Sequence, residues 1–373
     1  MEEENPGEFK RGTVLGLGLI GGSLALAMEQ FYPQLSLKGV DYEPQLERAR
    51  ERLSLDGLLT PDRLEEALAG SELVFLAPPI EEILRLVEEL PPLVEEGTLV
   101  CDVGSTKRRI CERAWSSFAS CSAHFVGGHP MAGAETSGLR GAHPLLFENS
   151  VFVLTPPEGE EGPQERRLSG FLNGLGARTR YLAPAVHDEI VARISHLPQL
   201  VALSMVNFLE KSGGESPEKV LSFAGGGFRD MTRIASSPFS IWEDILATNG
   251  PAVREVGQEL LRELQETLDA VGEERMKKFF GRSNQLRRKV PKTTKGLTTT
   301  THKVAVMVPD RPGALASLTG ALAEEEINIK DLELCKVRED YGGTFHVHFS
   351  SRGIAQEATE LLEREGYEAR LID

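Results

Sequence analysis

A glycine-rich turn near the N-terminus constrains the fold of this chain more than any other stretch. The turn, Gly16-Leu17-Gly18-Leu19-Ile20-Gly21, follows the apolar run 13–15 and precedes the apolar helical run 24–28. In a dinucleotide-binding turn the first glycine permits the tight reversal, the second lets a pyrophosphate approach the backbone, and the third lets helix and strand pack closely. The phosphates accept hydrogen bonds from N–H groups at the helix N-terminus. We therefore predict cofactor binding by Gly16, Gly18, Leu19, Ile20 and Gly21.

Asp41 ends the second predicted strand, residues 35–40, and follows Gly21 by twenty residues. An acidic residue at this spacing accepts a hydrogen bond from a ribose 2′-OH. Its charge would repel the 2′-phosphate of NADP, and no basic residue follows before Arg48. The predicted cofactor is therefore NAD. A glycine-rich loop without a ligand is the alternative, which the strand, the helix and the acid together disfavour.

Strands and helices alternate through the first part of the chain. Further buried strands are predicted over residues 71–77, 98–102, 124–127, 151–154 and 177–182. The alternation predicts an α/β domain over residues 10–183, a doubly wound, parallel, Rossmann-like sheet. Ligands of such sheets gather beyond the carboxyl ends of the strands. The polar stretches 78–80, 102–107 and 127–133 should therefore converge on the nicotinamide end of the cofactor, which adds Pro78 to the cofactor-binding residues.

His129 is the strongest candidate for acid–base chemistry. It is predicted to lie in a flexible loop after a Gly-Gly pair, and histidine titrates in the range that proton transfer from an alcohol requires. A loop histidine bonded to backbone is the alternative. Ser105 either orients that histidine or caps a helix beginning at Thr106. Lys107 is either part of the site or a solvated charge on the first turn of that helix.

Composition and charge narrow the function classes. The net charge of −16, from 57 acidic and 41 basic residues, argues against nucleic acid or an anionic membrane as the main partner. The N-terminus has no signal-peptide pattern, and no apolar stretch is long enough to span a bilayer. The four cysteines lack metal-ligand spacing. We predict reduced thiols, no metal site and a cytoplasmic protein.

Residues 184–290 have a helical pattern throughout. Pro198 is predicted to kink or break the first helix, and residues 251–280 are predicted to form a long amphipathic helix. The apolar content of these helices favours a homodimer. Arg229, Asp230 and Arg233 are predicted to share a helix face. They form either a surface ion pair or a guanidinium clamp for a substrate carboxylate.

A third domain ends the chain. Residues 291–301 are threonine-rich and are predicted to be a linker, and residues 302–373 follow the ferredoxin-like order βαββαβ. In the strand 341–349 the alternation places Phe345, Val347 and Phe349 on the core face. His346 and His348 are then predicted to be polar surface on the opposite face.

The motifs described above resemble a known family. Residues 12–290 are similar to the prephenate/arogenate dehydrogenase family of tyrosine biosynthesis, through the stretches 16–23, 102–107, 128–133, 195–198 and 227–233. The last domain resembles an ACT domain, through Asp310-Arg311-Pro312-Gly313-Ala314-Leu315 and Ile327-Asn328-Ile329. The fold that this implies is a Rossmann domain, an all-helical dimerisation domain and a ferredoxin-like ACT domain.

The resemblance also implies roles for individual residues. His129 accepts the proton of the prephenate ring hydroxyl, Ser105 orients it, and Arg233 binds a substrate carboxylate. Hydride passes to NAD and the ring carboxylate leaves as carbon dioxide, which yields 4-hydroxyphenylpyruvate. The further substrate-binding residues that it implies are Gly133, Glu135, Ser195 and Gln199.

Two departures from the family pattern leave the substrate open. Many relatives carry a histidine where this chain has Gln199, and a threonine where it has Ala134. Both positions lie near the substrate side chain in the family. The alternatives are arogenate, or dual cyclohexadienyl, dehydrogenase activity, another Rossmann hydroxyacid dehydrogenase, and an amino-acid sensor without activity.

The ACT resemblance implies an amino-acid effector, and tyrosine, the end product, is the natural one. The first helix of that domain is predicted to begin at Pro312. The residues predicted to bind the effector lie at its start: Asp310, Pro312, Gly313, Ala314 and Leu315. The alternative is a domain that only strengthens dimerisation.

Overall fold

The computed structural model describes residues 9–133, 138–156, 161–210, 216–290, 301–338 and 342–372. The chain forms two compact units, which divide between Arg287 and Arg288. Among the described residues, no helix combines the length and the apolar character needed to cross a bilayer.

The first unit is built on an eight-stranded sheet with the order β3-β2-β1-β4-β5-β6-β7-β8. The strands are β1 Arg11–Leu15, β2 Ser36–Val40, β3 Gly57–Leu59, β4 Leu73–Leu76, β5 Leu99–Asp102, β6 His124–Pro130, β7 Val151–Thr155 and β8 Arg178–Tyr181. The predicted α/β class is confirmed. The prediction of a wholly parallel sheet is wrong at one junction, because β6 and β7 pair antiparallel. Strand β3 was not predicted, since three residues are too few to show a periodicity.

Six helices cover the two faces of this sheet. They are α1 Leu19–Phe31, α2 Glu43–Arg50, α3 Leu64–Leu68, α4 Ile80–Glu89, α5 Arg108–Phe118 and α6 Pro163–Gly174. One apolar core contains residues of α1, α2 and α6, and the other contains residues of α3, α4 and α5. Burial of both sheet faces is what the near-continuous apolar runs of the central strands require.

Strand β6 is longer than predicted, and this changes the setting of His129. The prediction ended the strand at Gly127 and placed His129 in a flexible loop. In the structure β6 continues to Pro130, because it pairs with β7 and sets His129 opposite Val153. His129 therefore lies on a hydrogen-bonded strand, which fixes its backbone.

The rest of the first unit is helical. It contains α7 Pro184–Val191, a π-helical segment Ala192–His196, α8 Leu197–Glu210, α9 Pro217–Leu221, α10 Gly226–Thr232, a 3₁₀ turn Arg233–Ser236, α11 Phe239–Asp269 and α12 Met276–Arg287. The irregularity predicted at Pro198 takes the form of the π-helical segment just before it.

Pro251 was predicted to begin a helix but lies inside α11. A proline in a helix interior leaves the carbonyl four residues earlier without its usual donor. That carbonyl belongs to Ala247, and it accepts a hydrogen bond from Arg109 Nη1 at 3.5 Å. A side chain from α5 thus compensates for the missing amide, and the helix continues.

The second unit has the predicted ferredoxin-like order. Its elements are β9 His302–Val308, α13 Ala314–Glu324, β10 Asp331–Arg338, β11 Gly342–Phe349, α14 Arg352–Arg364 and β12 Ala369–Ile372. The sheet order is β10-β11-β9-β12, antiparallel throughout. Val347 and Phe349 lie in the core as predicted, and Phe345 packs against its edge. His348 is only 2% exposed, so its assignment to the polar surface is wrong.

Candidate active site

The predicted nucleotide turn joins β1 to α1 and excludes larger residues at two of its glycines. Gly16 has φ +91°, and a Cβ there would lie 2.7 Å from backbone atoms of Ala77 and Pro78. A Cβ on Gly21 would lie 1.8 Å from the carbonyl oxygen of Gly16. By contrast, no atom lies within 4 Å of a Cβ built on Gly18, so the turn is open there. Within the described part of the chain no side chain caps α1, so the amides of its first turn can donate hydrogen bonds to phosphate oxygens.

Asp41 holds this turn through hydrogen bonds from two backbone amides. Its Oδ2 accepts a hydrogen bond from the amide of Leu17 at 2.7 Å, and its Oδ1 accepts one from Tyr42 at 2.7 Å. An ionised carboxylate has about four lone-pair positions, so two of them stay available to a ribose hydroxyl. The contact with Leu17 was not predicted, because spacing along the chain does not show which backbone groups approach each other.

A buried ion pair lies at the carboxyl end of β5. Asp102 and Lys107 form it, and both side chains are 0% exposed. Asp102 also accepts hydrogen bonds from the amides of Gly104 at 2.8 Å and Gly128 at 3.1 Å. The alternative that Lys107 is a solvated charge is therefore wrong. Removing one member of such a pair typically destabilises a protein by about 3–5 kcal/mol.

His129 is held by a chain of side chains that begins in helix α7. Its Nδ1 lies 2.8 Å from Nε2 of His187, whose Nδ1 lies 2.8 Å from Oδ1 of Asp188. The Asp188 carboxylate also accepts hydrogen bonds from the amides of Lys107 at 2.7 Å and Arg108 at 2.9 Å. Helix α5 begins at Arg108 and no side chain of its own caps it. Asp188 therefore fixes both the base and the N-terminus of α5.

Ser105 follows β5 and is half-buried. The alternative that it caps a helix beginning at Thr106 is wrong, since the amides at the start of α5 are bonded to Asp188. Within the described residues its hydroxyl makes no hydrogen bond. Orientation of His129 by Ser105 stays a prediction, whereas the contact of His129 with His187 is a feature of the structure.

Burial sets the protonation states of this chain of residues. It lowers the pKa of His129 well below its usual range, and the nearby His187 and Lys107 lower it further. Burial also lowers the pKa of His187, against the opposing effect of Asp188. Burial would raise the pKa of Asp188, but the hydrogen bonds from His187 and from two backbone amides outweigh it and lower that pKa. At neutral pH the carboxylate is ionised and both imidazoles are neutral.

These states determine the tautomers. An ionised carboxylate only accepts hydrogen bonds, so Nδ1 of His187 carries its proton. The Nε2 of a neutral His187 is then an acceptor, and the Nδ1 of His129 must donate to it. The lone pair of His129 is consequently on Nε2. The arrangement presents an unprotonated nitrogen that can accept a proton.

A second buried histidine is connected to the same carboxylate-bearing residue. Asn249 Nδ2 donates to the backbone oxygen of Asp188 at 2.8 Å and lies 3.3 Å from Nδ1 of His196. The indole of Trp242 meets the His196 ring edge-on, with 6.0 Å between ring centroids. Burial lowers the pKa of His196 to about 4. His196 ends the π-helical segment, a distortion that is common at functional sites.

The predicted substrate-binding residues lie on several elements. Ser195 is half-buried in the π-helical segment, and Gln199 on α8 is 2% exposed. Gln199 Nε2 donates to the carbonyl of Ile234 at 3.0 Å, while its buried Oε1 has no hydrogen-bond partner among the described residues. Arg233 is exposed and begins the 3₁₀ turn that contains Ile234, so the regular α-helical spacing from Arg229 does not extend to it. Gln199 therefore positions the turn that carries Arg233.

Two further predicted positions follow β6. Gly133 is exposed, and no atom of the described residues lies within 4 Å of a Cβ placed there. Glu135, like the departure at Ala134, lies outside the described residues.

The predicted effector residues lie in the second unit, around a cavity of about 300 Å³. Asp310, Gly313, Ala314 and Leu315 line it together with Phe345 of β11, whereas Pro312 does not. Gly313 has φ +84° and precedes α13, so the helix begins at Ala314 and not at the predicted Pro312.

Sequence reasoning missed the residues that support the base. His187, Asp188 and Asn249 are buried and connected, but they belong to no short motif. Their only signal is an adjacent His-Asp pair near the start of a helix that follows Pro184. That signal does not identify a partner on another element.

Three family patterns match consecutive parts of the chain. They are the nucleotide-binding domain of prephenate dehydrogenase over residues 24–181, the dimerization domain of prephenate dehydrogenase over residues 183–283, and the ACT domain over residues 302–366.

Individual proteins agree with these matches. A prephenate dehydrogenase of Bacillus subtilis strain 168 is 34% identical over 366 residues, which cover 96% of this chain and 97% of that protein. A prephenate dehydrogenase from A. aeolicus, solved in complex with hydroxyphenyl propionate and NAD⁺, superposes with a TM-score of 0.69 at 25% identity, over 76% of this chain and 99% of that one. The Synechocystis arogenate dehydrogenase has a TM-score of 0.65 at 30% identity, over 75% and 100% of the two chains.

Proposed function

This chain belongs to the prephenate dehydrogenase family, and from that premise we propose that it converts prephenate to 4-hydroxyphenylpyruvate by oxidative decarboxylation. It is an NAD-dependent oxidoreductase. The observation that carries the proposal is the neutral His129, whose Nδ1 is engaged by His187 and whose Nε2 is left as a proton acceptor.

The residues of the turn fit the cofactor. Gly18 is open to a pyrophosphate, the first amides of α1 are uncapped, and Asp41 has acceptor capacity for a ribose hydroxyl. When bound, NAD accepts the hydride from the ring carbon that carries the hydroxyl. The residues of the chain bind and orient the cofactor and the substrate, and His129 accepts a proton.

His129 Nε2 takes the proton of the ring hydroxyl as the hydride leaves, which gives a ring ketone. The bond to the ring carboxylate then breaks, its electron pair enters the ring, and carbon dioxide departs. The resulting phenolate oxygen recovers a proton, so no net proton is consumed by the protein. While His129 is protonated, the ionised Asp188 stabilises the positive charge through His187.

Residues other than His129 are proposed to bind the carboxylate and the side chain of the substrate. We assign the carboxylate to Arg233, in a turn that Gln199 fixes through the carbonyl of Ile234. Gly133, Glu135 and Ser195 complete the proposed substrate contacts, and Ser105 keeps its proposed role of orienting His129.

Arogenate is the second candidate substrate, and one observation favours it. The Oε1 of Gln199 is a buried acceptor that has no partner within the described part of the chain. An unsatisfied buried acceptor of this kind costs about 1–3 kcal/mol, and the ammonium group of arogenate can donate to it. The ketone oxygen of prephenate is itself an acceptor and cannot.

A direct comparison of the two substrates tests the proposal. Purified protein is supplied with NAD and either prephenate or arogenate, and NADH absorbance is followed. Higher kcat/KM for prephenate supports the first candidate, and higher kcat/KM for arogenate supports the second. A matched assay of Gln199→His should shift the ratio toward prephenate if the amide oxygen selects the ammonium group. Absence of turnover with both would contradict the function itself.

The helical part and the ACT domain carry two further proposals. We assign the helical part to a homodimer interface, because large apolar side chains stay exposed on one chain, among them Phe223 at 83%, Phe280 at 73% and Leu261 at 66%. We assign tyrosine to the cavity beside α13, where amides at the start of a helix can hold a carboxylate.

A further inference from the structure

The outer face of the ACT sheet carries a cluster of metal-ligating side chains. Glu333 and Cys335 on β10 and His346 on β11 each place a ligand atom within 4.8 Å of the other two. The cluster lies on the sheet face away from the core formed by Val347 and Phe349. It is separate from the cavity beside α13 and has no part in the proposed reaction.

Strand pairing explains how the cluster forms. Glu333 lies directly opposite His346 in the antiparallel ladder. The pairing shifts by one residue between Leu334 and Lys336, which makes Cys335 the extra residue of a β-bulge. A bulge redirects a side chain out of the regular alternation. Here the bulge brings the Cys335 thiol to the same place as the carboxylate and the imidazole.

His348 supplies an independent indication of a ligand. Its side chain is 2% exposed, and its buried Nε2 has no hydrogen-bond partner among the residues that the structure describes. This nitrogen lies 3.8 Å from Oε2 of Glu333, too far for a hydrogen bond. Its Nδ1 lies 2.9 Å from the Thr301 hydroxyl. The tautomer that donates to this hydroxyl has its lone pair on Nε2, on the side of Glu333. A buried polar nitrogen of this kind is destabilising unless something binds it.

We propose that Glu333, Cys335, His346 and His348 form a binding site for a divalent transition-metal ion, of which Zn²⁺ is the representative. Two imidazoles, a thiolate and a carboxylate are the donors that Zn²⁺ takes in tetrahedral sites, with bonds of about 2.0–2.3 Å. Such bonds place neighbouring ligand atoms about 3.3–3.8 Å apart. The ligand atoms of Glu333, Cys335 and His346 lie within 4.8 Å of one another, and Nε2 of His348 lies 3.8 Å from Glu333, so a bound ion would have to draw the four side chains closer together. Mg²⁺ and Ca²⁺ prefer oxygen donors and fit the cluster poorly.

The charged surroundings are compatible with this assignment. Lys303 Nζ lies 3.9 Å from Oε2 of Glu333, and Asp331 lies opposite His348 in the ladder. Lys303 is half-exposed, so its ammonium group can turn to solvent when a cation enters.

The spacing of cysteines and histidines along the sequence predicted no metal site, because the four proposed ligands come from two different strands. Cys335 and His346 are adjacent only once β10 and β11 pair, and His348 was assigned to the polar surface. The prediction of no metal site and the present proposal differ for that reason.

Co²⁺ titration of the full chain tests the site. Co²⁺ serves as a spectroscopic substitute for Zn²⁺, and a thiolate ligand gives a cobalt charge-transfer band in the near ultraviolet. We expect the chain to bind about one Co²⁺ with that band, and Zn²⁺ to displace it. Cys335→Ser should abolish the band, and His346→Asn should weaken binding by about tenfold or more.

Matched controls separate this site from other thiols and histidines. Cys121→Ser and His302→Asn alter a partly exposed thiol and a partly exposed imidazole outside the cluster, and should leave the band and the affinity unchanged. His348→Gln, with circular dichroism to check the fold, should weaken binding if the buried nitrogen is a ligand. A Co²⁺ spectrum without the band, or a band that survives Cys335→Ser, would overturn the proposal.

Discussion

Nδ1 of His129 lies 2.8 Å from Nε2 of His187, which is a contact between a strand of the sheet and the first helix beyond it. Because His187 in turn donates to Asp188, this contact determines which nitrogen of His129 carries a proton. The base is therefore prepared by a neighbouring element before any substrate arrives.

Substitution of the base tests the mechanism. We expect His129→Asn to lower kcat by about 10²- to 10⁴-fold, the usual contribution of a positioned acid–base group. NAD affinity, measured by fluorescence titration, should change little, because the turn at Gly16–Gly21 is untouched. A kcat within a few-fold of the original would mean that the histidine is structural.

The carboxylate behind the base should matter nearly as much. Asp188→Asn removes the charge that fixes the His187 tautomer and stabilises the protonated His129, so kcat should fall by about 10²- to 10⁴-fold. The matched control is Asp244→Asn, since Asp244 also accepts a backbone amide, that of Glu81 at 3.1 Å, without touching a histidine. Equal kcat values for the two variants would contradict a role of Asp188 in proton transfer.

Cofactor preference should depend on Asp41. The chain should use NAD in preference to NADP, and Asp41→Ser should weaken NAD binding and relax the preference. Loss of the hydrogen bond to the Leu17 amide adds to the weakening. Asp56→Ser is the control, because Asp56 also bonds a strand amide, that of Leu37 at 2.9 Å. If wild-type turnover is equal or better with NADP, the assignment of Asp41 fails.

Acid should destabilise the fold through its buried histidines. Burial lowers the pKa of His129, His187 and His196 from the usual 6.5, and that of His196 to about 4. Below pH 6.5 the unfolded chain binds protons that the folded chain does not, so stability should fall as the pH decreases toward the folded pKa values. The slope is at most about 1.4 kcal/mol per pH unit for each histidine.

Urea unfolding on either side of pH 6.5 measures this effect. The pH dependence of kcat/KM should agree with this. Because the pKa of His129 lies well below 6.5, the loss of kcat/KM on acidification should begin only below pH 6.5. An unfolding midpoint that rises on acidification would show that these imidazoles are charged in the folded state.

Truncation separates regulation from catalysis. A chain that ends at Lys295 keeps the whole first unit, so it should fold and retain turnover while its inhibition by tyrosine weakens or changes form. A full-length Ala314→Trp variant, which would fill the cavity beside α13, should reproduce the altered response. Identical tyrosine inhibition in all three proteins would instead indicate competition at the active site.

Local sequence pattern predicted the layered architecture well. The glycine turn, the apolar strands and the βαββαβ order each depend on neighbours along the chain, and the structure has them. It did not predict that β7 runs antiparallel to β6, since the direction of a strand is decided by the connection that precedes it. That error placed His129 in a loop, when strand pairing in fact fixes its backbone.

The contacts that hold the site residues in place could not be predicted from the sequence. Lys107 and Asp102 form a pair that is fully buried, yet on a helix start a lysine is ordinarily solvated. His187 and His348 were each assigned no function, because the partners that make them distinctive lie on other elements. Contacts between elements carry this information, and a single sequence does not state them.

Asp188 holds the first amides of α5 and the tautomer of His187 with the same two oxygens. Without α7, the nucleotide-binding segment would thus retain its glycine turn. It would lack the carboxylate that bonds the start of α5 and the histidine that fixes the tautomer of His129. Such a fragment could bind a dinucleotide and still be inert. Turnover by this enzyme therefore requires that α7 packs against the nucleotide-binding segment.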